Sequence, residues 1–243
     1  MLAIYFKEIN AFFSSIIGYV VVGVFLVLMG LLLWVLPEYS ILDSRFATLD
    51  TLFAIAPQVF LFLIPAVTMR SFAEEMQTGT LELLVTRPLS DWQIVTGKFL
   101  ASLTLVLFAL LPTLFYYFTV YQLGVPPGNL DSGGILGSYI GLLFLAAAFV
   151  AIGLFASSLT QNQIVAFLIG AFLCFFFFQM FDLLSRLPIF FGKTDDIVQA
   201  IGIQYHYDSM SRGLVDTRDV VYFLSLVVLF SAATVVSLGR RRW

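Results

Sequence analysis

The chain has 243 residues, of which 60% are hydrophobic and 11% charged, and its mean hydropathy is +1.00. Soluble domains carry about 25% charged residues, and so few polar groups cannot form a water-facing shell over this much apolar surface, which excludes a soluble enzyme. The net charge of −3 argues against nucleic acid as a partner, and the single cysteine, Cys174, excludes an intrachain disulfide.

At the start of the chain, Leu2, Tyr5, Phe6, Ile9, Phe12, Phe13 and Ile16 recur at helical spacing on one face, while Lys7, Glu8, Asn10 and Ser14 lie elsewhere on the wheel. A charged pair such as Lys7–Glu8 is costly in hydrocarbon. Residues 1–15 are therefore expected to form an interfacial helix that feeds into the first span. Six uncharged runs then follow: Ile16–Leu36, Thr51–Met69, Phe99–Leu123, Ile135–Leu159, Ile164–Phe181 and Val220–Leu238. Each is about 18 to 25 residues, enough for a helix to cross roughly 30 Å of hydrocarbon. They are continuous rather than alternating, which favours helices over barrel strands of about ten residues. The first run is too long for the apolar part of a signal peptide and lacks a small-residue cleavage pattern. Pro57, Pro65 and Pro112 fall inside spans, where membrane helices tolerate kinks. The expected fold class is an all-α integral membrane protein of six transmembrane helices in a single domain over residues 1–243.

Orientation follows from Lys and Arg near the span ends. With both termini cytoplasmic, the inner segments hold Lys7, Arg70, Arg87, Lys98 and the cluster Arg240–Arg242, and the outer segments hold Arg45, Arg186, Lys193, Arg212 and Arg218. The cluster beside the last span strengthens the bias. Two non-membrane segments are large: 70–98 inside and 182–219 outside. Function is expected there or between helices.

The inner segment carries the most specific pattern. Arg70–Gln77 reads as an extension of the second span, Gly79 breaks it, Leu81–Val85 makes a short helical turn, and Pro88 ends it. Leucines beside the Glu82 carboxylate make a docking shape, with apolar knobs for a groove and one charge for register. Glu74, Glu75, Gly79, Thr80, Leu81, Glu82, Leu83 and Leu84, with Pro88 and Gly97–Lys98 after them, resemble the same place in permease subunits of type II ABC exporters. In that family the segment is a cytoplasmic coupling helix seated on a separate ATP-binding subunit. The six spans, the interfacial N-terminal helix and the long outer segment all have counterparts, so the resemblance covers nearly the whole chain.

In the outer segment, Leu187–Gly192 is apolar but too short to cross a bilayer and reads as re-entrant or interfacial. The run from His206 through Gly213 to Tyr222–Phe223 resembles the gliding-motility permeases of Bacteroidetes (GldF type), and a related group is the nitrous-oxide-reductase maturation permeases of copper-site assembly. His206 is the only histidine, and without converging ligands it reads as a hydrogen-bonding polar residue rather than a metal site.

Other candidates fail on spacing. Gly192-Lys193-Thr194 mimics the end of a phosphate-binding loop, but position 187 is leucine where that loop needs glycine. The spans hold no charge, which argues against a proton-driven carrier, and no His-Glu-x-x-His pattern or base for a serine nucleophile is present. Gly133, Gly137 and Gly141 suit close helix packing, within the subunit or between subunits. Phe175–Phe178 is expected to face lipid or a partner, and Cys174 to be an apolar filler. Tyr116, Tyr117 and Thr119 offer polar groups within the third span.

The resemblance implies a permease half of an ATP-driven complex in a bacterial inner membrane. It would work with two copies of an ABC ATPase, which hold ATP and Mg, with no cofactor or catalytic residue on this chain. It implies a second permease subunit, in the gliding system a different chain, in contact with membrane lipids. The work done would be export, or mechanical work by a membrane subunit that passes no substrate.

Overall fold

The computed structural model describes residues 1–43, 46–81, 89–187 and 195–240. All regular structure among them is helical. Helix α1 (Leu2–Phe13) turns through 70° into α2 (Ile16–Trp34). Helix α3 (Asp50–Thr68) runs almost directly into α4 (Arg70–Gln77). Helix α5 (Asp91–Leu110) gives way at Pro112 to a 3-10 turn (Leu111–Thr113) and resumes as α6 (Leu114–Leu123). Proline lacks an N–H and crowds the preceding turn, so it breaks the α ladder here. Helix α7 (Ser132–Leu159) follows. Then come α8 (Gln163–Phe175), a π turn (Phe176–Met180) and α9 (Phe181–Ser185). The short α10 (Asp195–Ile201) and α11 (Ile203–Met210) precede α12 (Thr217–Gly239).

Among the described residues, five helical stretches are long and apolar enough to cross a membrane, and six if α1 and α2 form one broken span. The expected first span is thus the second limb of a bent pair. The expected third span is longer than its uncharged core. Ser90 and Gln93 form a capping box, each side chain accepting from the other's backbone N–H, so α5 starts at Asp91 and carries Gly97 and Lys98 inside it. Local caps open the later helices too: Asp131 accepts from Gly134 N–H, Asn162 from Ile164 and Val165 N–H, and Asp216 from Arg218 N–H. The bond from Arg218 is the leading reason that the Asp216 carboxyl sits below its ordinary range.

Helix α7 is the centre of the bundle, packed against α3, α8 and α12, and it is the most buried of the candidate spans. Its small residues (Ala146, Ala147, Ala148, Ala151 and Gly153) let those neighbours approach. At its N-terminal end, Gly137 and Gly141 of the glycine stripe meet this chain's own loop. A Cβ on Gly137 would lie 2.4 Å from the Gly213 carbonyl oxygen, and one on Gly141 would lie 2.7 Å from Met210 Cβ. Gly213 itself has φ +82°, a conformation that L side chains rarely adopt.

The phenylalanine run departs from expectation. Phe178 points inward, buried against Phe149 and beside Tyr207, while Phe175 stays exposed. It falls four residues after the buried Cys174, itself four after Gly170 and eight after Ala166, and shares their face of the helix. Cys174 is fully buried, as an apolar filler would be. Tyr117 is hydrogen-bonded to Ser132 at 2.8 Å, and Tyr116 packs edge-on against Trp34.

Overpacking a tight contact costs about 1–3 kcal/mol. Gly137→Leu should therefore lower the thermal unfolding midpoint in detergent by several degrees. Gly23→Ala, where an added Cβ meets nothing within 4 Å, should leave it unchanged. Equal midpoints for the two variants would show that the α7 contact with Gly213 does not hold the fold.

Candidate functional site

The segment singled out by the sequence begins where α3 hands over to α4. The break leaves backbone groups without helical partners, and Ser157 of α7 satisfies them. Its hydroxyl accepts from Phe72 N–H (3.0 Å) and Ala73 N–H (3.1 Å) and donates to the Met69 carbonyl (2.9 Å). That is the full capacity of one hydroxyl. Thr68, just before the break, donates back to Ile64 O at 2.9 Å.

The two acidic residues of α4 point different ways. Glu74 is half-buried and takes a two-bond clamp from Arg70, at 2.8 and 2.9 Å. Glu75 is buried and joins an ionic cluster with α1 and α5. Its Oε1 receives the ammonium groups of Lys7 and of Lys98, the latter at 3.0 Å. Lys98 is 1% exposed. It also donates to Glu8 Oε1 and to the Ser71 carbonyl, both at 2.6 Å, beside its ion pair with Glu75. The Phe72 ring lies 5.0 Å from the same nitrogen. Two ammonium and two carboxylate groups thus balance. Gly97 permits this arrangement, because a Cβ there would lie 3.2 Å from Ile4 side-chain atoms and from the Met1 carbonyl.

Helix α1 turns a mixed face to the bundle. Ile4 and Glu8 face the bundle, while Leu2 and Phe6 of the apolar stripe stay exposed. The polar side of the helix finds its partners inside the protein.

Past α4, Thr78 donates to Glu74 O at 2.8 Å, and Gly79 at φ +71° closes the helix. Gly79 and Thr80 are exposed, with Thr80 Oγ1 3.0 Å from Thr78 Oγ1, and Leu81 is half-buried against the core. Glu82, Leu83, Leu84 and Pro88 lie outside the described residues, as do Gly192-Lys193-Thr194. The structure therefore brings Glu74, Glu75, Gly79, Thr80 and Leu81 together at one end of α3–α4. Sequence reasoning missed Lys7 and Lys98 as partners of Glu75, and Glu8 as the second carboxylate that Lys98 meets. The available signal was the matched Lys–Glu and acid–Lys charges on flanking segments.

In the long segment before α12, His206 sits between two acceptors. Its Nδ1 lies 2.7 Å from Asp219 Oδ1 and its Nε2 lies 2.9 Å from the Ala200 carbonyl, with the ring stacked on Tyr222 at 3.8 Å. Nearby Tyr207 donates to the Phe53 carbonyl at 2.7 Å, tying α11 to α3. Burial raises the Asp208 carboxyl, an effect partly offset by Arg212. Among the described residues, no group of three or more His, Cys, Asp or Glu side chains could hold a metal ion.

Breaking a buried ion pair from one side costs about 3–5 kcal/mol, because the remaining charge is stranded. Lys98→Met should accordingly collapse the yield of folded protein or lower its unfolding midpoint sharply. The double variant Glu75→Gln with Lys98→Met removes both charges of the pair and should recover part of the loss. A Lys98→Met protein as stable as the parent would refute the structural role of the cluster.

Residues 2–241 match the family described as ABC-2 family transporter protein. No curated protein matches the chain. The family implies association with an ABC ATPase. Its multi-pass helical character agrees with the spans found here. A match over nearly the whole chain, on a helical bundle with five to six candidate membrane spans, places this protein in the ABC-2 transporter family as a permease subunit.

Proposed function

We propose that the chain couples ATP hydrolysis on a separate ABC ATPase to work across the membrane, with residues 74–84 as the docking segment. The carrying observation is the anchorage of α4. It is tied to α7 through Ser157 and to α1 and α5 through the Glu75 cluster, so a push on its free end is passed to three helices at once. Leu81, Leu83 and Leu84 fill a groove on the ATPase, Glu82 pairs with a basic residue there, and Glu74 stiffens the joint through Arg70. ATP and Mg reside on the partner, and this chain performs no catalysis. Two permease halves face each other, the second a different chain, above two ATPase copies. Both termini lie in the cytoplasm of a bacterial inner membrane. The resemblance of the His206–Phe223 run favours the gliding-motility type, in which the output is export or mechanical work.

Affinity purification in mild detergent with mass spectrometry of the co-eluting chains tests this reading. An ATPase with a phosphate-binding loop should co-elute, and Leu83→Asp should abolish its recovery while leaving the permease folded. Stoichiometric recovery of the ATPase with Leu83→Asp would disprove the docking assignment.

A further inference from the structure

Between α1, α4 and α5, at the elbow where α1 turns into α2, lies a cavity of about 300 Å³. This is at the small end of the range for ligand pockets. One side is charged, with Lys7, Arg70, Glu74 and Glu75; the other is apolar, with Phe12, Val67 and Leu105. Glu75 brings an unfinished hydrogen bond to it. Its Oε1 carries both lysine contacts, while its Oε2 is buried with no hydrogen-bond partner among the described residues. A buried carboxylate oxygen left unpaired is costly, and native proteins rarely leave one without a donor.

We propose that this cavity binds the head group of a phospholipid bearing a primary ammonium, so that phosphoethanolamine is the chemistry recognised. The ammonium N–H donates to Glu75 Oε2, the phosphate lies between Lys7 and Arg70, and the glycerol and first acyl carbons run along Phe12, Val67 and Leu105. Both signs of charge and an apolar wall are present in one small space at the bend of an amphipathic helix, which is where a lipid head and its tail diverge. A trimethylammonium head has no N–H for Oε2. An anionic head without an amine would meet the carboxylates of Glu8, Glu74 and Glu75 with nothing to offer them. The site does not depend on ATPase docking or on which membrane face α4 occupies, so failure of the coupling assignment leaves it standing.

The test is native mass spectrometry of the full-length chain, with any subunits it retains, released from nanodiscs of equal phosphatidylethanolamine, phosphatidylcholine and phosphatidylglycerol. Phosphatidylethanolamine should be retained over phosphatidylcholine by about tenfold, the effect of one charge-assisted hydrogen bond. Glu75→Gln should erase that preference. Because Glu75 also holds the ionic cluster, Ala66→Leu is the second variant. It narrows the cavity without touching a charge and should cut retention to a similar degree. Equal retention of the two zwitterionic lipids, a cavity holding only water, or unchanged retention in Ala66→Leu overturns the proposal. Displacement of the lipid by soluble phosphoethanolamine at millimolar concentration would assign the site to the free head group and overturn the lipid assignment.

Discussion

The contact between Glu75 and Lys98 is the constraint around which one half of this protein is arranged. Lys98 sits two turns into a membrane-bound helix at 1% exposure, where a lone ammonium would be intolerable. It is tolerable because α4 supplies Glu75 and the Ser71 carbonyl and α1 supplies Glu8. Each of those partners needs a specific backbone placement. Gly97 must lack a side chain so that α1 can lie against α5. The α3–α4 break must be held at Met69 so that Ser71 and Glu75 both face inward. The acidic pair and the Gly-Lys pair, separate in sequence, are two sides of one interaction.

A buried ion cluster of this type is weak evidence for stability, since well-packed apolar residues often do as well. What it provides is register. Sliding α1 or α5 by one residue would strand a charge, whereas an apolar interface would re-pack. Helix α7 adds a second kind of register along the membrane normal. Its 28 residues extend about 42 Å at 1.5 Å per residue. At one end Gly137 and Gly141 seat the Met210–Gly213 turn, and at the other Ser157 holds the start of α4. One continuous helix therefore touches both of the protein's long connecting segments, and a displacement at either reaches the other through contacts already made.

Much of this was legible in the sequence. Uncharged length predicts spans, and five of the expected runs lie within helical stretches long enough to cross a membrane. Gly79, Pro112 and Ser90 carry local backbone chemistry, and the structure breaks or caps its helices at each of them. The misreadings share a cause, which is that a helical wheel knows nothing of partners. Helical spacing sets Glu8 off the apolar stripe but cannot show that α5 offers it Lys98. Phe178 looks like its neighbours in the run, and only its place four residues after Cys174 sets it on the inward face. Pairings such as Glu75 with Lys7 join residues 68 positions apart, and no periodicity reports on separations of that kind. The glycine stripe of α7 showed that something approaches closely but could not say what.

The rigid and yielding parts of the bundle follow from these contacts. Helices α1, α4 and α5 share charges whose separation would cost several kcal/mol, so they move together or not at all. The α4 junction is bonded to α7 by three hydrogen bonds through one hydroxyl, each individually modest. Compliance is therefore concentrated where neither constraint acts. One such place is the 70° elbow between α1 and α2, and the other is the interruption at Pro112 between α5 and α6. Motion begun at the end of α4 would carry α1 and α5 as a body and be taken up at those two breaks. The segments beyond those breaks, α2 and α6, would then change their angle to the bundle. A permease needs such a division, with a stiff block that receives force and hinges that convert it into a change on the far side of the membrane.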